Sequence, residues 1–197
     1  MNVAILLFDD FETLDVFGPV EILGRISDQY NVSFYSQAGK MIRNHHGICI
    51  ETQSLHDIPG GDDIFLIPGG PGSRKEVDND KLISTIREVS QGSGYVLTVC
   101  TGSALLAKTG LLDGRKATSN KKAFAWATSF GDNVRWIKEA RWTVDGKYYT
   151  SSGVSAGMDM TFGFLSDRHG VAFARKVAFE MEYHWLENKE HDDFHKQ

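Results

Sequence analysis

The stretch Val96-Leu97-Thr98-Val99-Cys100-Thr101-Gly102-Ser103-Ala104-Leu105-Leu106-Ala107 constrains the fold more than any other part of the chain. Apolar and β-branched residues lead into a cysteine, small residues follow, and an Ala/Leu run comes next. β-Branched side chains suit a strand buried on both faces, and Ala and Leu suit a helix. The order therefore predicts buried strand, sharp turn and buried helix. Cys100 then sits at a bend of the nucleophile-elbow type, in front of the free N–H groups that open a helix. Those dipoles favour an anion, which predicts a lowered thiol pKa and a nucleophilic thiolate.

The same alternation runs along the chain. Val3 to Phe8, Asn31 to Ser36, Asp63 to Ile67 and Val96 to Val99 read as strands, and so do Arg115 to Thr118, Val134 to Trp136, Arg141 to Val144 and Tyr148 to Ser151. Leu14 to Ile26, Asn79 to Gln91, the segment from Cys100 to Gly110, Lys121 to Phe130, Ser155 to Arg168 and Val171 to His184 read as helices. Met41 to Glu51 reads as a hairpin excursion turning at Asn44-His45-His46-Gly47, and Asp145-Gly146 as a second hairpin turn. Strands alternating with helices predict an α/β chain, a flavodoxin-like three-layer sandwich around a mostly parallel sheet, with residues 1–197 as one domain. Ligands of such sheets bind beyond the carboxyl ends of the strands. The loops after Phe8, Ile67, Val99 and Ser151 are expected to converge there, bringing Asp15, Gly69-Gly70, Cys100-Thr101 and Ser152-Gly153 together.

Charge and composition exclude several function classes. The net charge of −5 and the lack of a basic run leave nucleic-acid binding without an electrostatic footprint. No apolar stretch approaches the roughly 20 residues of a membrane span. The opening residues lack a basic signal region, and the two cysteines, Cys49 and Cys100, form no CxxC pair, so a reducing cytoplasm is expected. The histidines form no HExxH pattern and none follows a strand at the active edge, so neither a metal nor a cofactor is expected.

Within the converging loops, Gly69 and Gly70 let backbone N–H groups approach a reacting atom, and the Thr101 amide is the other half of such an anion hole. Asp15 has apolar neighbours Leu14, Val16 and Phe17 and is expected to face inward. A carboxylate beside a thiolate is costly, so the pair is expected to share one proton. Cys49 reads as a structural cysteine in an alternating strand. Trp126, Trp136, Trp142 and Trp185 read as core or interface aromatics. The charged segment Glu187 to Gln197 reads as solvated or lying on a partner subunit.

Leu14-Asp15-Val16-Phe17-Gly18-Pro19, Leu66-Ile67-Pro68-Gly69-Gly70, Val99-Cys100-Thr101-Gly102-Ser103, Gly110 to Thr118 and Ser151 to Asp159 together resemble the ThiJ/PfpI superfamily, whose fold is like that of class I glutamine amidotransferases. Asp15 and the Cys-Thr-Gly elbow look most like its isonitrile hydratases and the sensor-like domains of AraC-type regulators. The resemblance implies a nucleophilic Cys100 assisted by Asp15 and Thr101, with Gly69, Gly70, Gly153 and Val154 around the substrate. It implies a small-molecule substrate, no cofactor and a homodimer. Relatives often carry a histidine where this chain has Asn120, so a Cys–His dyad is not expected. A cysteine-based redox or small-molecule sensor, and glyoxalase or deglycase chemistry on methylglyoxal, are the alternatives. The regulator reading is disfavoured by the lack of a helix-turn-helix segment after residue 197.

Overall fold

The computed structural model describes residues 1–58 and 63–196. Its organising feature is a seven-stranded sheet built from β1 (Asn2–Leu6), β2 (Asn31–Ser36), β5 (Gln53–Ser54), β6 (Ile64–Ile67), β7 (Tyr95–Thr98), β10 (Trp142–Asp145) and β11 (Tyr148–Ser151), in the order β10-β11-β7-β6-β1-β2-β5. All pairings are parallel except the β10–β11 hairpin. The centre of the sheet is the most apolar part of the chain. Val3 to Leu6 of β1 and all of β6 are buried on both faces, as a parallel sheet covered by helices requires.

α6 (Ala156–His169) packs on both α1 (Thr13–Gly24) and α7 (Val171–Glu180), and α3 (Asp80–Gly92) packs with α4 (Gly102–Lys108) as a second set. The short α2 (Ser73–Glu76) and α5 (Phe124–Thr128) lie against α4. The sheet is thus flanked by helices, the three-layer arrangement expected from the alternation. The excursion after β2 is an antiparallel pair, β3 (Met41–Arg43) and β4 (Cys49–Glu51), as the sequence predicts. The strand expected at Arg115 to Thr118 is the two-residue β8 (Lys116–Ala117), paired with β9 (Arg135–Trp136) outside the main sheet.

Several expectations are corrected. Cys49 lies on β4 but is exposed, so it is no core cysteine. The helix expected over Lys121 to Phe130 is the single turn and a half of α5, because Asn120 and Lys121 are held in a separate arrangement described below. The last helix stops at Glu180, four residues early, with Glu182 in the left-handed region at φ 52°. The tail then returns over its own chain. The backbone amides of Arg141 and Trp142 donate to the Lys189 carbonyl at 2.8 and 3.2 Å. Arg141, itself buried, pairs with Asp159 (Nε–Oδ2, 2.6 Å) and with buried Asp192 (Nη1–Oδ2, 3.4 Å). A buried carboxylate left without its cation is strongly unfavourable, so the pairing of Asp192 with Arg141 fixes the tail on its own chain, where the sequence predicts a segment that is solvated or lies on a partner subunit. Gln197 lies outside the described residues.

Glycine matters most at the crossing of the β6 and β7 loops. A Cβ on Gly102 would lie inside contact distance of the Ile67 carbonyl oxygen and 2.8 Å from that of Pro68. Both obstacles are backbone, so a Gly102→Ala variant is expected to lose about 1–3 kcal/mol of stability. Chemical denaturation checks this; an unchanged midpoint would show that the crossing has room for a methyl group.

Candidate active site

Cys100 follows β7 at φ 59°, in the left-handed region where a non-glycine residue costs about 1–2 kcal/mol. Its amide donates to the Ser152 carbonyl (3.1 Å), and its own carbonyl accepts from the Ser103 and Ser119 hydroxyls, both at 3.1 Å. These bonds hold the elbow in its strained conformation and turn the sulfur toward the ends of β1, β6 and β11. Val154, in the loop after β11, is also strained, at φ 46°. Its backbone N–H, that of Thr101 and the side chain of Asn120 all donate toward the sulfur.

The Asn120 contact is the most direct of these: Nδ2 lies 3.1 Å from Sγ. The orientation of the amide is fixed from its other end, because Oδ1 accepts the Ala123 N–H at 2.9 Å. A Cβ on Gly153 would collide with Nδ2, so the glycine makes room for this side chain. Beneath it the buried ammonium of Lys121 donates to Thr118 Oγ1 (2.7 Å) and to the Ala140 carbonyl (2.6 Å), which anchors the segment. Burial brings the pKa of Lys121 down to about 8.

Asp15 is fully buried near the start of α1. Its Oδ2 accepts the Gly69 N–H at 2.9 Å, whereas Oδ1 has no hydrogen-bond partner among the described residues. Burial pushes its pKa up to about 8; the charge of Glu12 adds to the rise, while the Gly69 amide and the Cys100 thiol oppose it. Burial, and then the charge of Asp15, push the Cys100 thiol up as well, against the pull of its three N–H donors. The expected lowering of the thiol pKa is therefore corrected. The helix behind the elbow is only seven residues long and Cys100 is 6% exposed, so desolvation outweighs the dipole. The two groups titrate as a pair, in which a negative charge on either makes it harder to ionise the other.

Thr101 Oγ1 accepts the Gly70 N–H at 3.1 Å and lies 2.9 Å from the Ser73 hydroxyl. The amides of Gly69 and Gly70, read from sequence as anion-hole donors, are thus engaged by Asp15 and Thr101. The donors that surround the sulfur are those of Thr101, Val154 and Asn120. Sequence reasoning noted Asn120 only for the histidine it replaces; its neighbour Gly153 was the available signal. A cavity of about 460 Å³ opens over Cys100, bounded by Glu12, Gly70, Arg74, Asn120, Lys122 and Val154. A larger hollow of about 660 Å³ beside α7 includes His184 but no cysteine and lies away from this cluster. His46 comes closer to the site than expected, 2.5 Å from Thr13 Oγ1 and 3.9 Å from Glu12, yet it does not touch the sulfur. Among the described residues, no group of three or more His, Cys, Asp or Glu side chains is placed to hold a metal, and no helix is long and apolar enough to cross a membrane.

A buried cysteine on a strained strand-to-helix bend, beside a carboxyl from α1 at the edge of a parallel sheet, defines a class of α/β domains with a cysteine at the strand-to-helix elbow. The chain belongs to the DJ-1/PfpI family, whose model matches residues 1–167. It is 28% identical over 184 residues to an isonitrile hydratase of Pseudomonas putida, covering 93% of this chain and 78% of that protein. It is 28% identical over 158 residues to a deglycase of Thermococcus kodakarensis, covering 77% of this chain and 89% of that one. A crystal structure of a ThiJ/PfpI family protein from Pseudomonas syringae superposes with a TM-score of 0.80 at 22% identity, over 92% of this chain and 74% of that one, and so shares the fold.

Proposed function

We propose that this chain is an isonitrile hydratase-like enzyme that adds water to R–N≡C and releases R–NH–CHO, with Cys100, Asp15 and Thr101 as its catalytic residues. The observation that carries the reading is the Asp15–Cys100 pair, in which the sulfur is met by an amide instead of an imidazole. Asparagine has no proton to exchange near neutral pH, so Asp15 must do the acid–base work. An isonitrile suits such a site because its terminal carbon must gain both a proton and a nucleophile.

In the reactive state the pair holds one proton. That proton sits on the sulfur, the weaker acid of the two; it passes to the Asp15 carboxylate, and Asp15 gives it to the terminal carbon as the Cys100 thiolate bonds there, forming the thioimidate R–N=CH–S–Cys. Water then attacks the same carbon. One of its protons passes through the Asp15 carboxylate to nitrogen, and the hydroxyl stays on carbon. Collapse breaks the C–S bond, makes the formamide C=O, returns the hydroxyl proton to Asp15 and leaves the thiolate. The N–H donors of Thr101, Val154 and Asn120 stabilise that sulfur charge each time it appears.

Asn120→Ala is expected to lower kcat about tenfold or more while the protein stays folded, since one hydrogen bond to a charged group contributes about 1.5–3 kcal/mol. A similar rate in wild type and variant would remove Asn120 from the mechanism. The reaction itself is tested with cyclohexyl isocyanide, reading N-cyclohexylformamide by mass spectrometry. The second reading, glyoxalase- or deglycase-type chemistry, has the deglycase relative in its favour. Lactate from methylglyoxal, with no formamide from the isocyanide, would replace the hydratase reading by that one. The burial of Cys100 weighs against a sensor that works through an exposed, acidic thiol.

A further inference from the structure

We infer that the cavity over Cys100 selects small substrates carrying an anionic group, which Arg74 and Lys122 hold away from the reacting carbon. This deepens the proposed function and rests on its assignment of the cavity as the substrate site. Three charged side chains bound the cavity: Glu12, Arg74 and Lys122. Glu12 lies 3.9 Å from His46, so two cations face one carboxylate at the cavity. Neither Arg74 nor Lys122 has a carboxylate partner among the described residues, although acids outnumber bases in the chain by 26 to 21.

Arg74 is also preorganised. Its guanidinium carbon lies 4.6 Å from the centroid of the Trp126 ring, a cation–π contact that limits where the group can swing. A planar fork held in this way suits a carboxylate or phosphate better than a freely moving ammonium does. Its position also follows from the fold. Arg74 lies on α2, directly after the Gly69–Gly72 loop that meets Asp15, while Lys122 follows Asn120 on the other side of the sulfur. The two cations thus bound the cavity from two segments, one meeting Asp15 and Thr101 and the other meeting the sulfur through Asn120. A substrate with an anionic end would be steered to this mouth and oriented with its electrophilic end inward.

The test uses Cys100 as its own reporter, in a Cys49→Ser background that leaves one thiol. The rates of alkylation by iodoacetate and by iodoacetamide are compared, with free cysteine as the reference. Cys100 is expected to favour the anionic reagent about tenfold more than free cysteine does. Arg74→Met and Lys122→Met should each reduce that preference, and Arg74→Glu should reverse it. Lys75→Met is the control, since it removes the same charge from the adjacent residue, which lines a different cavity beside Asp9 and Lys40. A ratio equal to that of free cysteine, or one that falls equally in the Lys75→Met control, overturns the inference.

The second arm compares hydration of isocyanoacetate with that of its neutral amide. Preference for the anion, lost in Arg74→Met, supports both readings. An alkylation preference with no turnover of either isocyanide keeps the anion site and removes the hydratase reading. Turnover of both without charge preference, together with unselective alkylation, does the opposite.

Discussion

Cys100→Ala is expected to lower isonitrile turnover by about 10⁴-fold or more, to the level of the buffer reaction, without unfolding the protein. The loss is large because the sulfur makes and breaks the only covalent bond to substrate, and neither neighbour can replace it. Asn120 lacks a nucleophilic atom, and the Thr101 hydroxyl is occupied with Gly70 and Ser73. Stability should change little, since the elbow is held by backbone bonds of residue 100 and by the Ser103 and Ser119 hydroxyls, all of which alanine keeps. Circular dichroism and formamide formation, measured on one preparation, separate the two effects. Activity within tenfold of wild type in a folded variant would place the chemistry elsewhere.

Asp15→Asn is the second large effect, with an expected loss of about 10²–10⁴-fold in kcat/KM, the range for a general acid–base group. Its signature is the pH profile. Both members of the wild-type pair are protonated at low pH, and the first proton leaves as pH rises through about 8, the value to which burial pushes Asp15. In the proposed mechanism the singly protonated pair is the reactive form. Wild-type kcat/KM should therefore rise about tenfold per pH unit below that value and level off above it. Asp15→Asn should lose the plateau near 8, because the remaining thiol titrates alone.

Stability follows the same group with the opposite sign. The folded-state pKa of Asp15 lies above its ordinary value of 3.8, so the folded protein binds more protons than the unfolded chain between pH 3.8 and about 8. Stability must fall as pH rises through that window and then stay at its lower level. Asp15→Asn removes this dependence. The variant should gain stability relative to wild type by a few kcal/mol between pH 5 and pH 9. Urea melts at the two pH values check the sign, and a parallel pair of curves would show that Asp15 is already ionised in the folded state.

Much of the fold was legible because apolar period and turn chemistry are local. The runs at Val3 to Leu6, Ile64 to Ile67 and Tyr95 to Thr98 have no polar face to offer solvent and must sit at the centre of a covered sheet. The hairpin of β3 and β4 was marked by its Asn44 to Gly47 turn, and the Asp15, Gly69 and Cys100 loops met as the parallel topology demands. The end of α7 and the course of the tail were not legible. Val171 to His184 keeps a helical pattern beyond Glu180, and only the reach of Asp192 to Arg141, 51 residues away, fixes where the chain goes.

The order of residue types around Cys100 was enough to place a cysteine at the junction of a buried strand and a helix, and the small residues Thr101, Gly102 and Ser103 were enough to make the bend. Those are nearest-neighbour properties, set by backbone sterics and by the bulk of each side chain. The proton affinity of that sulfur was decided only in three dimensions. Burial depth, the Asp15 carboxyl arriving from α1, and the amides of Asn120 and Val154 come from segments far apart in sequence. Solvation and Coulomb energies depend on distance through space, which residue order does not encode. For the same reason, the contact of Arg74 with Trp126 at the cavity came from packing alone.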